Sequence, residues 1–287
     1  MHYDLYIVSA FAFIFGATIG SFLNVVIYRI PNKLFSEEKV FAREILGIEE
    51  PINFENTNFN NLLEPSRCPN CKNKLKYRHN IPIFGWLLLR GKCFFCKSKI
   101  SFQYPLVELL NAVIYTAIVY YVGLNAYGLS LLILATIFIP LFFIDIKHQI
   151  LPDSLTLPLV WIGIIINYYG VLTSLDASVW GAIIGYLSLW SIFWIYKILT
   201  KKEGFGYGDF KLLAAIGAWF GYQMLLYIIF VSCIIGIFVA IAINLSIKKT
   251  NVIAFGPSII LATIFYLLTK DNLYIWYNHI MLINQYV

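Results

Sequence analysis

Apolar residues fall in eight long runs along the chain, at 5–28, 104–123, 127–146, 155–172, 178–198, 210–222, 224–246 and 253–269. A helix needs about 20 mostly apolar residues to cross the hydrocarbon of a bilayer, so the pattern predicts about eight transmembrane helices. The sixth run is short. Gly221-Tyr222 predicts a turn into the seventh, and one broken helix over both runs is the alternative. Residues 29–103 form the one sizeable polar stretch. The prediction is an all-α polytopic membrane protein with a small domain between helices 1 and 2, divided into 1–103 and 104–287.

Composition agrees. The 287 residues are 60% hydrophobic and only 13% charged, against about a quarter charged in soluble domains. No Lys or Arg precedes the first run, whereas Arg29 and Lys33 follow it. That predicts an uncleaved helix with the N-terminus outside. The inside segments are then 29–103, 147–154, 197–211 and 246–252. They hold thirteen, one, four and two Lys/Arg residues, 20 of the 21, leaving only Lys270 outside. Positive loops stay in the cytoplasm, so both termini are predicted outside and the large loop cytoplasmic. Gly16/Gly20, Gly181/Gly185 and Gly217/Gly221 show the spacing that lets helix backbones approach within one bundle.

The polar stretch has two halves. Residues 33–64 hold seven acids and three bases. Within them "SEEKVFAREILG" predicts a short amphipathic helix closed by Gly47, and "NFENTNFNN" predicts irregular chain. Residues 67–99 hold nine Lys/Arg and no acid. "CPNC" (68–71) and "CFFC" (93–96) lie here, 21 residues apart. Two such pairs suit a four-sulfur zinc site of Cys68, Cys71, Cys93 and Cys96, closed and therefore structural. The basic surface points to anionic membrane lipids rather than nucleic acid, because few aromatics are interleaved with the charges. Cys233, in an apolar run, reads as ordinary packing.

Among the acids after residue 103, Asp176 and Asp271 fall in outside segments, Glu203 sits beside Lys201 and Lys202, Asp153 reads as a helix N-cap, and Glu108 as an acid that snorkels or pairs with a base. Asp145 ends the third apolar run and Asp209 begins the sixth, at similar depth on the cytoplasmic side. Intramembrane carboxylates are functional candidates. Two that converge can share a proton, one serving as acid and one as base, and together activate water against a peptide carbonyl. Gly206 and Gly208 would let the backbone bend beside Asp209. The residues alone leave this reading balanced against two separate interface acids, each paired with Lys147 or Lys211. There is no His-Glu-x-x-His motif and no Gly-x-Ser-x-Gly elbow, which removes the zinc-protease and serine-hydrolase signatures. A transporter that uses the two acids as a proton relay, and a noncatalytic assembly scaffold, remain as other classes.

The segments "GSFLNVVIYRIP" (20–31), "CPNCKNKLKYRHNIPIFGWLLLRGKCFFC" (68–96), "SFQYPLVELL" (101–110), "IDIKHQILPDSLTLPLVWIG" (144–163) and "GYGDFKLLAAIGAWFG" (206–221) occur in one order. In this the chain resembles the type IV prepilin peptidases, membrane aspartic proteases of the Gly-x-Gly-Asp kind. The resemblance implies a catalytic pair at Asp145 and Asp209, with Gly206 and Gly208 in the motif and no catalytic role for Asp153. It implies an inner-membrane enzyme that cuts the basic leader from prepilins and pseudopilins on the cytoplasmic side, after a glycine. It further implies methylation of the new amino terminus with S-adenosylmethionine, an activity of members carrying the cysteine loop; a peptidase without methylation is the alternative. Residues 32–66 stand out as long and asparagine-rich for such a protein.

Overall fold

A computed structural model of the chain describes the backbone of residues 2–47, 65–75, 79–202, 204, 206–245 and 254–284. The asparagine-rich run, Glu203, Lys248, Lys249 and the side chain of Asp271 lie outside the described residues. The described chain is helical apart from turns and two isolated bridges. It divides into two compact units, Met1–Ile144 and Asp145–Val287.

In the first unit, α1 (His2–Leu46) spans 45 residues, about 68 Å at 1.5 Å per residue. The segment 36–46, expected as a separate short helix, therefore continues the first apolar helix. Pro31 lies inside it, and helix-forming Glu, Lys, Ala and Leu carry it on, with Lys33 and Glu37 paired at 3.7 Å one turn apart. Gly47, at φ 63°, closes it as expected. The short α2 (Phe84–Leu88) follows the cysteine-bearing chain, then α3 (Gln103–Tyr121) and α4 (Ala126–His148). The Gly16/Gly20 pair seats α1 directly on α3. A Cβ on Gly16 would lie 2.9 Å from Ala112 Cα, and one on Gly20 2.7 Å from Glu108 Cα. Asn111 Nδ2 donates to the Gly16 carbonyl at 2.6 Å across this seam, and Tyr115 OH and Thr136 Oγ1 share a hydrogen bond of 2.6 Å between α3 and α4.

The second unit is built around α7 (Tyr207–Phe220), whose residues from Asp209 on are buried except Lys211. Around it stand α5 (Asp153–Tyr168), α6 (Leu175–Thr200), α8 (Leu225–Leu245) and α9 (Gly256–Asn284). Gly181 of α6 and Gly217 of α7 face each other so closely that a Cβ on either would overlap the other's carbonyl. Gly163 of α5 lies against the Trp219 ring. The glycine pairs thus pack helices within the chain, as their spacing predicts. Asn167, 1% exposed, ties down the end of α7. Its Nδ2 donates to the carbonyls of Ala218 and Trp219 at 2.8 and 2.9 Å, and its Oδ1 accepts from Leu172 and Thr173 N–H at 3.1 and 3.0 Å. Gly221, at φ 85°, and a single 3₁₀ turn at Tyr222–Met224 separate α7 from α8, so the turn at Gly221-Tyr222 holds and one broken helix does not. Cys233 lies on the exposed face of α8 rather than in packing.

Among the described residues, five helical segments are long and apolar enough to cross a bilayer: Leu5–Leu46, Gln103–Tyr121, Ala126–His148, Leu175–Thr200 and Tyr222–Ile243. The other three predicted runs become α5, α7 and the start of α9. With 16 and 14 residues, α5 and α7 reach only about 24 and 21 Å, short of a full hydrocarbon thickness of about 30 Å.

Candidate active site

The apolar α4 runs until Gln149 takes a left-handed conformation, φ 56°, and its N–H closes on the Asp145 carbonyl at 2.9 Å. That places Asp145 in the last turn. Pro152, extended and without an N–H, then caps α5, because proline presets the backbone for a helix start. Asp153, expected as the N-cap, is instead the first helical residue. Its Oδ1 lies 2.6 Å from Lys211 Nζ, joining α5 to α7. Lys211 is thereby engaged with Asp153, which removes the reading in which it pairs with Asp209.

Asp209 occupies the third position of α7, where a carboxylate suits the positive end of the helix dipole. Its Oδ2 accepts from the Gly206 N–H at 3.2 Å, and its own N–H bonds the Gly206 carbonyl at 3.1 Å. Gly206 sits at φ −80°, open to any residue, and Gly208 is absent from the positive-φ positions. Neither provides the sharp bend expected. Gly208 matters for a different reason, since a Cβ there would lie 2.7 Å from Leu151 Cβ.

Both carboxylates are buried, Asp145 at 4% and Asp209 at 8% exposure. Both belong to the second unit, and Leu151 borders both Gly208, next to Asp209 in the chain, and Gly256, which lies against Asp145. The Gly256 backbone N–H acts on the Asp145 carboxyl group, while Asp145 Oδ2 has no hydrogen-bond partner among the described residues. Gly256, at the head of α9, has no room for a side chain. A Cβ there would lie 2.5 Å from Asp145 Oδ2 and 3.2 Å from Leu151 Cδ1. Leu151, Gly208 and Gly256 therefore form a close shell around the pair. Sequence reasoning missed Gly256, although the Gly-Pro pair heading an apolar run was a visible signal.

The four cysteines of the first unit come together as predicted. Their sulfurs all lie within 4.8 Å of one another, with Cys68–Cys96 at 3.8 Å and Cys71–Cys93 at 4.0 Å. Four thiolates about 2.3 Å from one tetrahedral ion stand about 3.8 Å apart, so the group could hold a metal. The two pairs fold alike. Lys72 and Lys97, at φ 56° and 59°, turn each knuckle, and their N–H groups bond the Cys68 and Cys93 carbonyls at 2.9 and 3.0 Å. The Ser98 hydroxyl, 3.1 Å from Cys96 Sγ, lowers that thiol's pKa, whereas burial and the neighbouring sulfurs raise that of Cys71, so that a bound metal would have to draw the proton from it.

Glu108 differs from expectation. It is 7% exposed, and its Oε2 accepts from the Ile83 N–H at 2.7 Å rather than pairing with a base. A local sequence pattern holds no signal for this contact, made 25 residues away.

Residues 14–122 match the bacterial peptidase A24 N-terminal domain, and residues 132–241 match the type IV leader peptidase family. A prepilin leader peptidase/N-methyltransferase of Stutzerimonas stutzeri is 42% identical over 265 residues, covering 91% of each chain. Proteins of the same description from Dichelobacter nodosus and Neisseria gonorrhoeae are 44% and 45% identical, covering 88% to 90% of each chain. No solved structure matches. On the strength of these matches, spread over both halves of the sequence, the chain belongs to the type IV leader peptidase family.

Proposed function

We propose that the chain is a multi-pass membrane aspartic endopeptidase that removes the basic leader from prepilins and pseudopilins, and that it then methylates the new amino terminus. Asp145 and Asp209 are the catalytic pair. The observation that carries this reading is their burial together in one unit, with Asp145 Oδ2 left without a partner. Two close buried carboxyls cannot both ionise readily, so they share a proton. The ionised member takes a proton from water as the water attacks the scissile carbonyl. The protonated member then serves the leaving amine. Leu151, Gly208 and Gly256 fix the pair, because close packing leaves the carboxyl groups little freedom to drift.

The Lys/Arg distribution supports eight spans in the inner membrane, with both termini outside and residues 29–103 in the cytoplasm. The two short helices α5 and α7 would then cross inside the bundle beside the apolar start of α9, where neighbouring helices and local thinning make up the missing length. The prepilin's apolar helix lies among the enzyme's helices, its leader in the cytoplasm. We assign peptide cleavage to residues 104–287 and the metal-bearing, methyl-transferring part to 1–103, with the first turns of α3 packed against the latter within the first unit.

Cys68, Cys71, Cys93 and Cys96 hold one structural zinc ion. Four thiolates leave no open coordination position, so the metal supplies folding energy to a stretch with little core. S-adenosylmethionine supplies the methyl group. Incubation of the purified protein with a prepilin, followed by mass analysis of the product, tests the proposal. A mature pilin carrying one added methyl group supports both activities. A cut but unmethylated product reduces the protein to a peptidase, and an uncut product overturns the assignment.

A further inference from the structure

The first unit holds a half-open cavity of about 510 Å³, lined by none of the residues proposed for peptide cleavage. Its size falls within the range of about 300–1,000 Å³ usual for small-molecule sites. α1 supplies Asn24 and Tyr28, α3 supplies Tyr104 and Glu108, and the metal-binding knuckles supply the Cys68 and Cys93 edges.

The polar groups in its wall are unevenly satisfied. Asn24 is 4% exposed. Its Nδ2 is spent on the Tyr104 carbonyl at 3.0 Å, while its Oδ1 has no partner among the described residues. Buried His79 Nδ1, in the same wall, also has none. Burying such atoms unpaired is costly, so a ligand that supplies hydrogen-bond donors recovers that cost. Glu108 is the one acid among the lining residues, which also include the bases Arg29, Arg67, Lys72 and Lys99. Its carboxylate is anchored by the N–H of Ile83, a β-branched residue at φ 62°, a rare conformation that a binding site can hold. Tyr28, Tyr104 and Trp86 add aromatic surface, which attracts cations and planar rings. A buried carboxylate, a basic rim, unpaired polar atoms and aromatic walls together select a ligand that carries both an ammonium and a carboxylate, with further N–H donors and a flat ring.

We propose that this cavity binds the methyl donor, S-adenosylmethionine, and that Glu108 is the residue that recognises the ammonium of its zwitterionic amino-acid end, whose carboxylate faces the basic rim. The proposal rests on the methyl-transfer reading above. The donor's ammonium meets Glu108, its remaining N–H groups reach Asn24 Oδ1 and His79 Nδ1, and its ring lies on the aromatic wall. In the transfer, the pilin amine nitrogen forms the new bond to the methyl carbon. The sulfur–carbon bond breaks with its electrons left on sulfur, and one proton leaves the nitrogen for solvent. Because the knuckles form part of the wall, loss of the metal also opens the cavity.

The test is equilibrium binding of labelled S-adenosylmethionine to the full-length, zinc-loaded protein and to Glu108→Gln, with zinc content and prepilin cleavage reporting on the fold. We expect at least tenfold weaker donor binding, with cleavage and zinc kept. Equal binding by both proteins overturns the role of Glu108 while leaving methylation intact. A wild-type protein that cleaves but neither binds donor nor methylates overturns the methyl-transfer reading itself. Should Glu108→Gln fail to fold, photolabelling of the wild-type protein with an azido derivative of the donor decides the matter. Label on peptides 65–101 supports the cavity, and label confined to 207–256 overturns it.

Discussion

Replacing Gly256 by alanine perturbs the proposed catalytic pair without touching either acid. The added Cβ would stand 2.5 Å from Asp145 Oδ2, 3.3 Å from Asp145 Cγ and 3.2 Å from Leu151 Cδ1. Leu151 is held in turn by Gly208, where the clearance is equally small, so the Asp145 side chain has to give way, by about an ångström. Misplacing a reacting group by about 1 Å can cost about 10²-fold in rate. Stability works the other way, because alanine favours a helix over glycine by about 1 kcal/mol. The assay is prepilin cleavage by the membrane-inserted variant beside Gly236→Ala. There the nearest atom would be 3.6 Å away, an ordinary contact. We expect about a hundredfold loss for Gly256→Ala and a change of less than about threefold for Gly236→Ala, within the ±0.5 kcal/mol of an unstrained substitution. Wild-type cleavage by Gly256→Ala refutes the claim that this close shell positions Asp145.

Further predictions concern the metal, the packing and the surface. Cys68→Ser with Cys93→Ser should remove the one zinc per chain measured in protein purified without chelator, and should abolish methylation. Metal-free wild-type protein under reducing conditions contradicts the zinc assignment. Asn167→Ala breaks four hydrogen bonds, two of them buried and two partly buried, and should destabilise the second unit by about 2–3 kcal/mol, read as a lower midpoint in chemical denaturation; an unchanged midpoint contradicts the role of that staple. Lys211→Ala loses only a partly exposed ion pair and should cost less than about 1 kcal/mol. A collapse of cleavage in that variant would instead assign Lys211 to the active site.

The features legible in the sequence are those where one residue's chemistry conflicts with its surroundings. Asp145 and Asp209 stand out because carboxylates at the ends of apolar runs need a reason. The cysteine pairs stand out because their spacing alone defines two chelating turns. The glycine pairs foretold close backbone seams because only glycine permits them. What escaped depends on contacts distant in the chain. Gly256 is tight only because Asp145, 111 residues earlier, turns toward it. Glu108 is anchored by a backbone N–H whose left-handed residue, Ile83, carries no glycine or asparagine to announce it. Asp153 reads as an N-cap by type, yet Pro152 takes that position and frees the carboxylate for Lys211. The continuity of α1 was hidden by Pro31 and by the charges after it, which resemble a boundary although the segment keeps good helix formers.

Cleavage of a prepilin by Asp145→Asn and Asp209→Asn, each inserted in membranes and each retaining zinc, tests the central claim most directly. Loss of an acid–base partner costs about 10²–10⁴-fold, so each variant should leave the precursor intact on the timescale in which the wild-type protein converts it. Processing at the wild-type rate by either variant contradicts a mechanism that needs both carboxyl groups.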